Sequence, residues 1–118
     1  SHEDAIAAFR RASELTGGMI QIQAALAHTL ATVGRRDEAA ELLHEIEHPS
    51  TPRYIDPYSA GLVHVALGDR DPALNWLDKA VADMATWLTM FGKCDPRLDP
   101  LRSDPRFVNL LHRMRLDR

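Results

Sequence analysis

Histidine side chains are the residues of this chain whose spacing could bind a metal ion. His44 and His48 are four residues apart, and on a helix this spacing places two imidazoles on one face, where they could chelate a metal. His48 directly precedes Pro49, where a helix is expected to end, and no third ligand has a fixed position. We therefore predict no metal site and interpret the pair as solvated surface residues.

The acidic and thiol side chains show no catalytic pattern in the sequence. Glu41, Glu45 and Glu47 are expected on one acidic face of a helix, where nothing separates a proton donor from an acceptor. Cys94 is the one cysteine, so it forms no internal disulfide and fits a reducing compartment. The sequence has no Gly-rich phosphate loop and no nucleophile motif. We predict that the chain is not an enzyme and that it uses no cofactor.

Arginines in the C-terminal third form a basic strip that could contact nucleic acid. They are Arg97, Arg102, Arg106, Arg113, Arg115 and Arg118. The same stretch contains three Asp-Pro pairs, and we expect several of these arginines to pair with the aspartates. The net charge of -3 also argues against general nucleic-acid binding. We predict no nucleic-acid contact.

Length and composition indicate one modest domain. The chain has 118 residues, of which 45% are apolar, enough for a hydrophobic core. No apolar run approaches the roughly 20 residues that cross a bilayer. The N-terminus lacks the basic and then apolar pattern of a signal peptide. We predict a cytoplasmic domain without membrane contact.

A period of 34 residues organises most of the chain. Ala5, Ala39 and Ala73 are separated by this step. The step recurs in Phe9, Leu43 and Leu77, in Ala12, Ile46 and Ala80, and in Gly34 and Gly68. A period of this length is typical of stacked helix pairs, which present a surface to a partner. The predicted fold is all-α, a right-handed superhelical stack of antiparallel helix pairs.

The residues that keep the period resemble the tetratricopeptide repeat family. In that family each repeat has a helix A and a helix B, with a small residue where they cross and a glycine in the turn between them. Ala27 and Gly61 stand at the crossing positions, and Gly34 and Gly68 at the turns. His64 stands at an aromatic position of helix A, which implies a packed histidine rather than a catalytic base.

The repeat divides a single predicted domain, residues 1–118, into consecutive segments. They are a half repeat at 3–16, a repeat at 19–48, a repeat at 54–85, and a connector with a capping helix at 86–118. The half repeat supplies a helix B without a helix A. We therefore predict that the chain is a fragment of a longer protein.

Capping signals predict where the helices begin. Asp37, Asp56-Pro57 and Asp71-Pro72 mark the starts of three helices. The last helix B is expected to continue through Trp87 and Met90. The segment 93–105 is predicted to be a turn-rich connector, followed by a terminal helix from Pro105 to Leu116.

The resemblance implies a partner-binding groove, because helix A residues build the inner wall in this family. The residues predicted to dock a peptide or a neighbouring domain are Gln21, Ala24, His28, Ile55, Tyr58 and Leu62. The chaperone-binding branch holds a carboxylate with lysine, asparagine and arginine at these positions. None of these occurs here, so a chaperone-tail receptor is not expected. Alternatively the chain's own later segments, residues 87–91 or the terminal helix, fill the groove.

A rival prediction is self-association through the first helix. Ile6, Phe9 and Leu15 form an apolar stripe on a helix B that has no helix A of its own. Two chains could cover each other there and form a homodimer.

The motif from Asp95 to Phe107 resembles the closing segment of tetratricopeptide regions in large bacterial proteins. In those proteins the repeats follow a winged-helix DNA-binding domain, a nucleotide cyclase domain or a protein kinase domain. The resemblance implies a protein-interaction role in signalling or transcription regulation.

Overall fold

The computed structural model describes residues 1–83 and 95–113, and within these ranges all regular secondary structure is helical. The helices are α1 (His2–Thr16), α2 (Ile20–Thr32), α3 (Arg36–Glu47), α4 (Pro57–Leu67), α5 (Arg70–Ala82), a 3₁₀ helix (Pro96–Leu101) and α6 (Pro105–Arg113). The prediction of an all-α fold is confirmed. Some predictions lie outside the described residues: the continuation through Trp87 and Met90, the packing of 87–91, the state of Cys94 and the helix end at Leu116.

The helices follow the period of the sequence. α1, α3 and α5 begin at residues 2, 36 and 70. α2 packs against α1, α3 and α4, and α4 packs in addition against α3 and α5. Connections of two or three residues join α1 to α2, α2 to α3 and α4 to α5, and connections this short favour antiparallel neighbours. These contacts are those expected of stacked helix pairs, whose right-handed superhelical course stays a prediction.

Glycines fix the turns and one helix crossing. Gly34 and Gly68 have φ angles of 89° and 81°, a left-handed conformation that side chains with a Cβ adopt only with strain. A Cβ on Gly61 would lie 3.1 Å from the Leu77 side chain. A small residue is therefore required where α4 crosses α5, as the sequence predicts.

The predicted helix starts are correct at one site and wrong at two. Asp56 caps α4, because its side chain accepts a hydrogen bond from the Tyr58 backbone N–H. α3 and α5 each begin two residues earlier than predicted, so Asp37 and Asp71 lie in the first turn and do not cap it. A carboxylate in the first turn still interacts favourably with the helix dipole.

Two hydrophobic cores share α4. The N-terminal core lies between α1, α2, α3 and one side of α4, and includes Ile6, Leu30 and Val63. The C-terminal core lies between α4, α5, the 3₁₀ helix and α6, and includes Tyr58 and Leu77. α4 is therefore buried along almost its whole length.

The segment predicted as a turn-rich connector contributes to the C-terminal core. Leu98 and Leu101 of the 3₁₀ helix are fully buried, as is Phe107 of α6. The 3₁₀ helix packs against α4, and α6 packs against α5. Nothing in the sequence pattern of the connector predicts these core residues.

Candidate partner-binding groove

A polar cluster joins α4 to the start of the 3₁₀ helix. The Tyr58 hydroxyl donates a hydrogen bond to the Asp95 carboxylate. Arg97 donates to both oxygens of the same carboxylate, from Nε at 3.1 Å and from a terminal nitrogen at 2.8 Å. Arg102 donates to the Asp95 backbone carbonyl at 2.7 Å. The 3₁₀ helix is therefore held at a fixed position on α4.

The charges of this cluster are fixed over the physiological pH range. Burial alone would raise the pKa of Asp95, but hydrogen bonds from Arg97 and Tyr58 outweigh it and lower the pKa to about 2. Burial, followed by the hydrogen bond to Asp95, raises the pKa of Tyr58 far above its ordinary value. The cluster is therefore an anchor and not a proton-transfer pair.

The predicted groove residues fall into two groups. Tyr58 and Leu62 are each 2% exposed, and Ala24 is 3% exposed, so these three belong to the cores. Gln21, His28 and Ile55 remain partly exposed. The prediction of an open surface is wrong for Tyr58 and Leu62, because the chain's own 3₁₀ helix and α6 share their core.

His28 lies near the anchor and is neutral. Burial, followed by the positive charge of Arg97, lowers the pKa of His28, while the charge of Asp95 acts in the opposite direction. The partly exposed α2 face therefore offers an uncharged imidazole close to a guanidinium.

The predicted self-association residues differ in how deeply they are buried. Ile6 is 3% exposed within the N-terminal core, whereas Leu15 is 76% exposed. Phe9 is half-buried against the same core. The prediction that Ile6 is exposed is wrong, because α1 packs it onto α2.

The position of α1 in the repeat explains why its apolar face is less covered. The equivalent residues of α3 and α5 are all buried, namely Ala39, Leu43, Ile46, Ala73, Leu77 and Ala80. The corresponding residues of α1, which are Ala5, Phe9 and Ala12, are only half-buried. α3 and α5 each have a preceding helix of their own repeat that covers these positions.

A polar contact that the sequence does not predict joins three helices. Glu47 accepts a hydrogen bond from Trp76 Nε1 at 2.8 Å, and the same oxygen lies 3.4 Å from His64 Nε2. The sequence predicts Glu47 only as part of an acidic face of its helix. It follows Leu43 by four residues, and this spacing places it beside the apolar stripe. His64 is packed as predicted, and its buried Nδ1 has no hydrogen-bond partner among the described residues.

An open cleft of about 740 Å³ separates the turn between α1 and α2 from the loop after α3. Arg53 connects the two walls, because it donates to the Gly18 carbonyl at 2.6 Å and to the Gln23 side chain at 2.7 Å. His48 lines the cleft. Its ring stacks on that of His44, with centroids 4.5 Å apart.

The tail arginines pair with aspartates, as predicted. Arg97 pairs with Asp95 and Arg102 with Asp99. Arg106 pairs with Asp104 and Asp71, and Arg113 with Asp78. Arg115 and Arg118 lie outside the described residues. The first two pairs are local to the C-terminal segment. The pairs Arg106–Asp71 and Arg113–Asp78 connect α6 to α5.

The residues that the structure describes contain neither a candidate metal cluster nor a candidate membrane span. In 1–83 and 95–113, no three histidine, cysteine, aspartate or glutamate side chains are grouped to hold a metal ion. No helix in these ranges has the length and apolar character to cross a membrane.

Comparisons with family models, curated proteins and solved structures found no match to this chain. The class that the structure defines is an all-α fold, in which α1, α3 and α5 begin 34 residues apart. The likeness to the tetratricopeptide family stays a prediction from the period-related residues.

Proposed function

We propose that the chain is a protein-interaction module that docks a peptide or a neighbouring domain on the exposed face of α2. One observation carries this proposal: α4, the other helix A, already holds a short segment of chain. Leu98 and Leu101 are fully buried in the core that α4 shares, and Asp95 accepts the Tyr58 hydrogen bond. This intramolecular contact is an example of the docking that we propose for α2.

The residues beside α2 indicate the chemistry of the partner. Gln21 and His28 are partly exposed, and so is Ile55, which follows Gln21 by the repeat step of 34 residues. The Gln21 amide and the Arg97 guanidinium are hydrogen-bond donors, whereas Ile55 offers apolar contact. We expect an apolar helix or extended segment that carries an acidic or other acceptor group.

The wider context of this proposal comes from the resemblance alone. Tetratricopeptide repeats with a similar closing motif occur in bacterial signalling and transcription-regulatory proteins. We propose the same role, in a cytoplasmic protein, with a protein partner and without nucleic-acid contact, catalysis or a membrane.

A peptide selection tests the docking proposal. Peptides displayed at random are selected on the chain, and their affinity is then measured by fluorescence anisotropy. Gln21→Ala and His28→Ala together should weaken binding by about tenfold or more, because the polar contacts are lost. Asn75→Ala, an exposed change on α5, serves as the control. Peptides that bind the double variant as tightly as the unchanged chain contradict the proposal.

Self-association is the second candidate, and the half-buried face of α1 favours it. Light scattering across a dilution series measures the mass in solution. Leu15→Asp should convert a dimer into a monomer, because it places a charge at the edge of the half-buried apolar face of α1. Val108→Asp, at a 49% exposed residue on α6, is the matched control. A chain that is monomeric at every concentration excludes this candidate.

A further inference from the structure

We propose that a second copy of this chain covers the exposed side of α1, and that the two α1 helices pack antiparallel around a two-fold axis. This pairing rests on self-association, the second candidate function given above, and specifies its contacts. The surface involved is the open face of α1, which consists of Ala5, Ala8, Ala12 and Leu15. Ala8 and Leu15 are exposed, and Ala5 and Ala12 are half-buried.

The open face has the spacing of a surface that packs against another helix. Its residues follow one another at intervals of three, four and three, which are the a and d positions of a heptad pattern. Ile6 lies outside this row and packs against α2. In α3 the residues equivalent to Ala5 and Ala12 are Ala39 and Ile46, and both are fully buried. The open face is therefore a helix-packing surface to which the described residues supply no second helix.

Two charged residues border the open face on one edge. Asp4 and Arg11 are exposed, directly precede Ala5 and Ala12, and stand seven residues apart. This spacing gives both residues the same heptad position, g, which forms ion pairs between packed helices. The edge therefore carries a negative charge near the start of α1 and a positive charge near its end.

These two charges are available to a second chain. Asp4 contacts only the exposed Ser1, through its hydroxyl and its amine. Arg11 forms no hydrogen bond or ion pair within the part of the chain that the structure describes. By contrast, Glu3 and Arg10 of the same helix already pair with residues at the start of α3.

The order of the two charges selects the direction of the pairing. In an antiparallel pair, the same edge of each helix meets its copy, whereas in a parallel pair it meets the opposite edge. Asp4 of one chain then lies beside Arg11 of the second copy, and the two-fold axis produces this contact twice. The axis passes close to Ala8, whose small side chain lets the helices approach closely. A parallel pair would leave both charges without a partner.

The size of the open face predicts a weak and reversible dimer. α1 has 15 residues and is about 22 Å long. One helix per chain buries less than the roughly 1,200 Å² at which standard interfaces begin, so we expect association in the micromolar range. The exposed ion pairs fix the direction of the helices more than they add affinity.

Charge reversal tests the pairing, with the dissociation constant of the dimer measured by light scattering at low salt. Asp4→Arg and Arg11→Asp should each weaken the dimer by about tenfold or more, because each replaces two attractive contacts by two repulsive ones. Asp69→Arg is the matched control, because it makes the same charge change at an exposed position at the start of α5. The equivalent residue at the start of α3 is already Arg35, and this control should associate like the unchanged chain.

Mixing the two variants separates the pairing from a loss of folding. An equimolar mixture of Asp4→Arg chains and Arg11→Asp chains should form a heterodimer, because both contacts then join opposite charges. The double variant Asp4→Arg/Arg11→Asp should regain the homodimer for the same reason. A damaged fold would not be repaired by either step.

The possible failures are distinguishable. A chain that stays monomeric at every concentration overturns both the pairing and self-association. A dimer that neither variant weakens, or a mixture that associates no better than its components, overturns the antiparallel pairing and assigns self-association to another surface. Peptide docking on α2 is measured separately by anisotropy, so it is decided independently of these outcomes.

Discussion

The two ends of the helical stack differ in how completely their apolar faces are covered. At the N-terminal end, Phe9 and the neighbouring alanines of α1 are half-buried and Leu15 is exposed. At the C-terminal end, the equivalent residues of α5 are all buried, in a core that α5 shares with α4, the 3₁₀ helix and α6. Equivalent residues in a repeat can therefore have different roles, because burial depends on which segment packs next to them.

The largest expected effect comes from truncating one phenylalanine at each end. Phe107→Ala should lower the free energy of unfolding by about 3–5 kcal/mol, since its side chain is fully buried. Phe9→Ala should cost about 1–2 kcal/mol, because its side chain is only partly buried. Urea unfolding of both variants measures the difference. Equal losses would show that the two ends are equally well covered.

The 3₁₀ helix provides the next test. Leu98→Ala should cost about 2–4 kcal/mol, because it opens a cavity beside α4. Leu15→Ala, the matched leucine at the N-terminal end, should change stability by less than about 0.5 kcal/mol. The measurement is again urea unfolding. A small effect at Leu98 would mean that the 3₁₀ helix covers α4 only loosely.

The Asp95 anchor predicts a pH-dependent difference. Its pKa is lowered in the folded chain, so the charged carboxylate stabilises the fold above its ordinary pKa and loses this effect as the pH falls toward about 2. Asp95→Asn should therefore cost about 1–2 kcal/mol at pH 7, after allowance for solvent screening. The cost should shrink between about pH 5 and pH 2.

Asp78→Asn is the control for this pH series, because Asp78 pairs with Arg113 at an exposed position. It should cost less than about 0.5 kcal/mol at any pH. The test is to measure the free energy of unfolding of both variants across this pH range. A cost of Asp95→Asn that does not change with pH would contradict the anchor.

The smallest effect concerns a feature that the two ends share. Gly34→Ala and Gly68→Ala should each cost about 1 kcal/mol, because both turns need a left-handed backbone and have open space around the glycine. Thermal unfolding should give the same decrease for both. Unequal costs would indicate that the ends differ in their turns as well as in their covering.

The sequence predicted those features that depend on local chemistry and on the period. The turns at Gly34 and Gly68, the close crossing at Gly61 and the cap at Asp56 each follow from what one residue type can do. The starts of α3 and α5 were misplaced because an aspartate next to a helix start can cap it or lie in its first turn. Pro72 did not resolve this, since proline is tolerated throughout the first turn.

Features that depend on tertiary packing could not be predicted. Leu98 and Leu101 stand among Asp-Pro pairs without helical periodicity, so nothing local marks them as core residues. They are buried because the 3₁₀ helix packs against α4.

The membership of α4 in both cores has a consequence for how the chain opens. Because neither core can separate without exposing α4, its amide protons should exchange with solvent only when the whole domain unfolds. α1 contacts a single core, so its amides should exchange through smaller local openings. Hydrogen exchange would then show one cooperative unit centred on α4, with a first helix that frays independently.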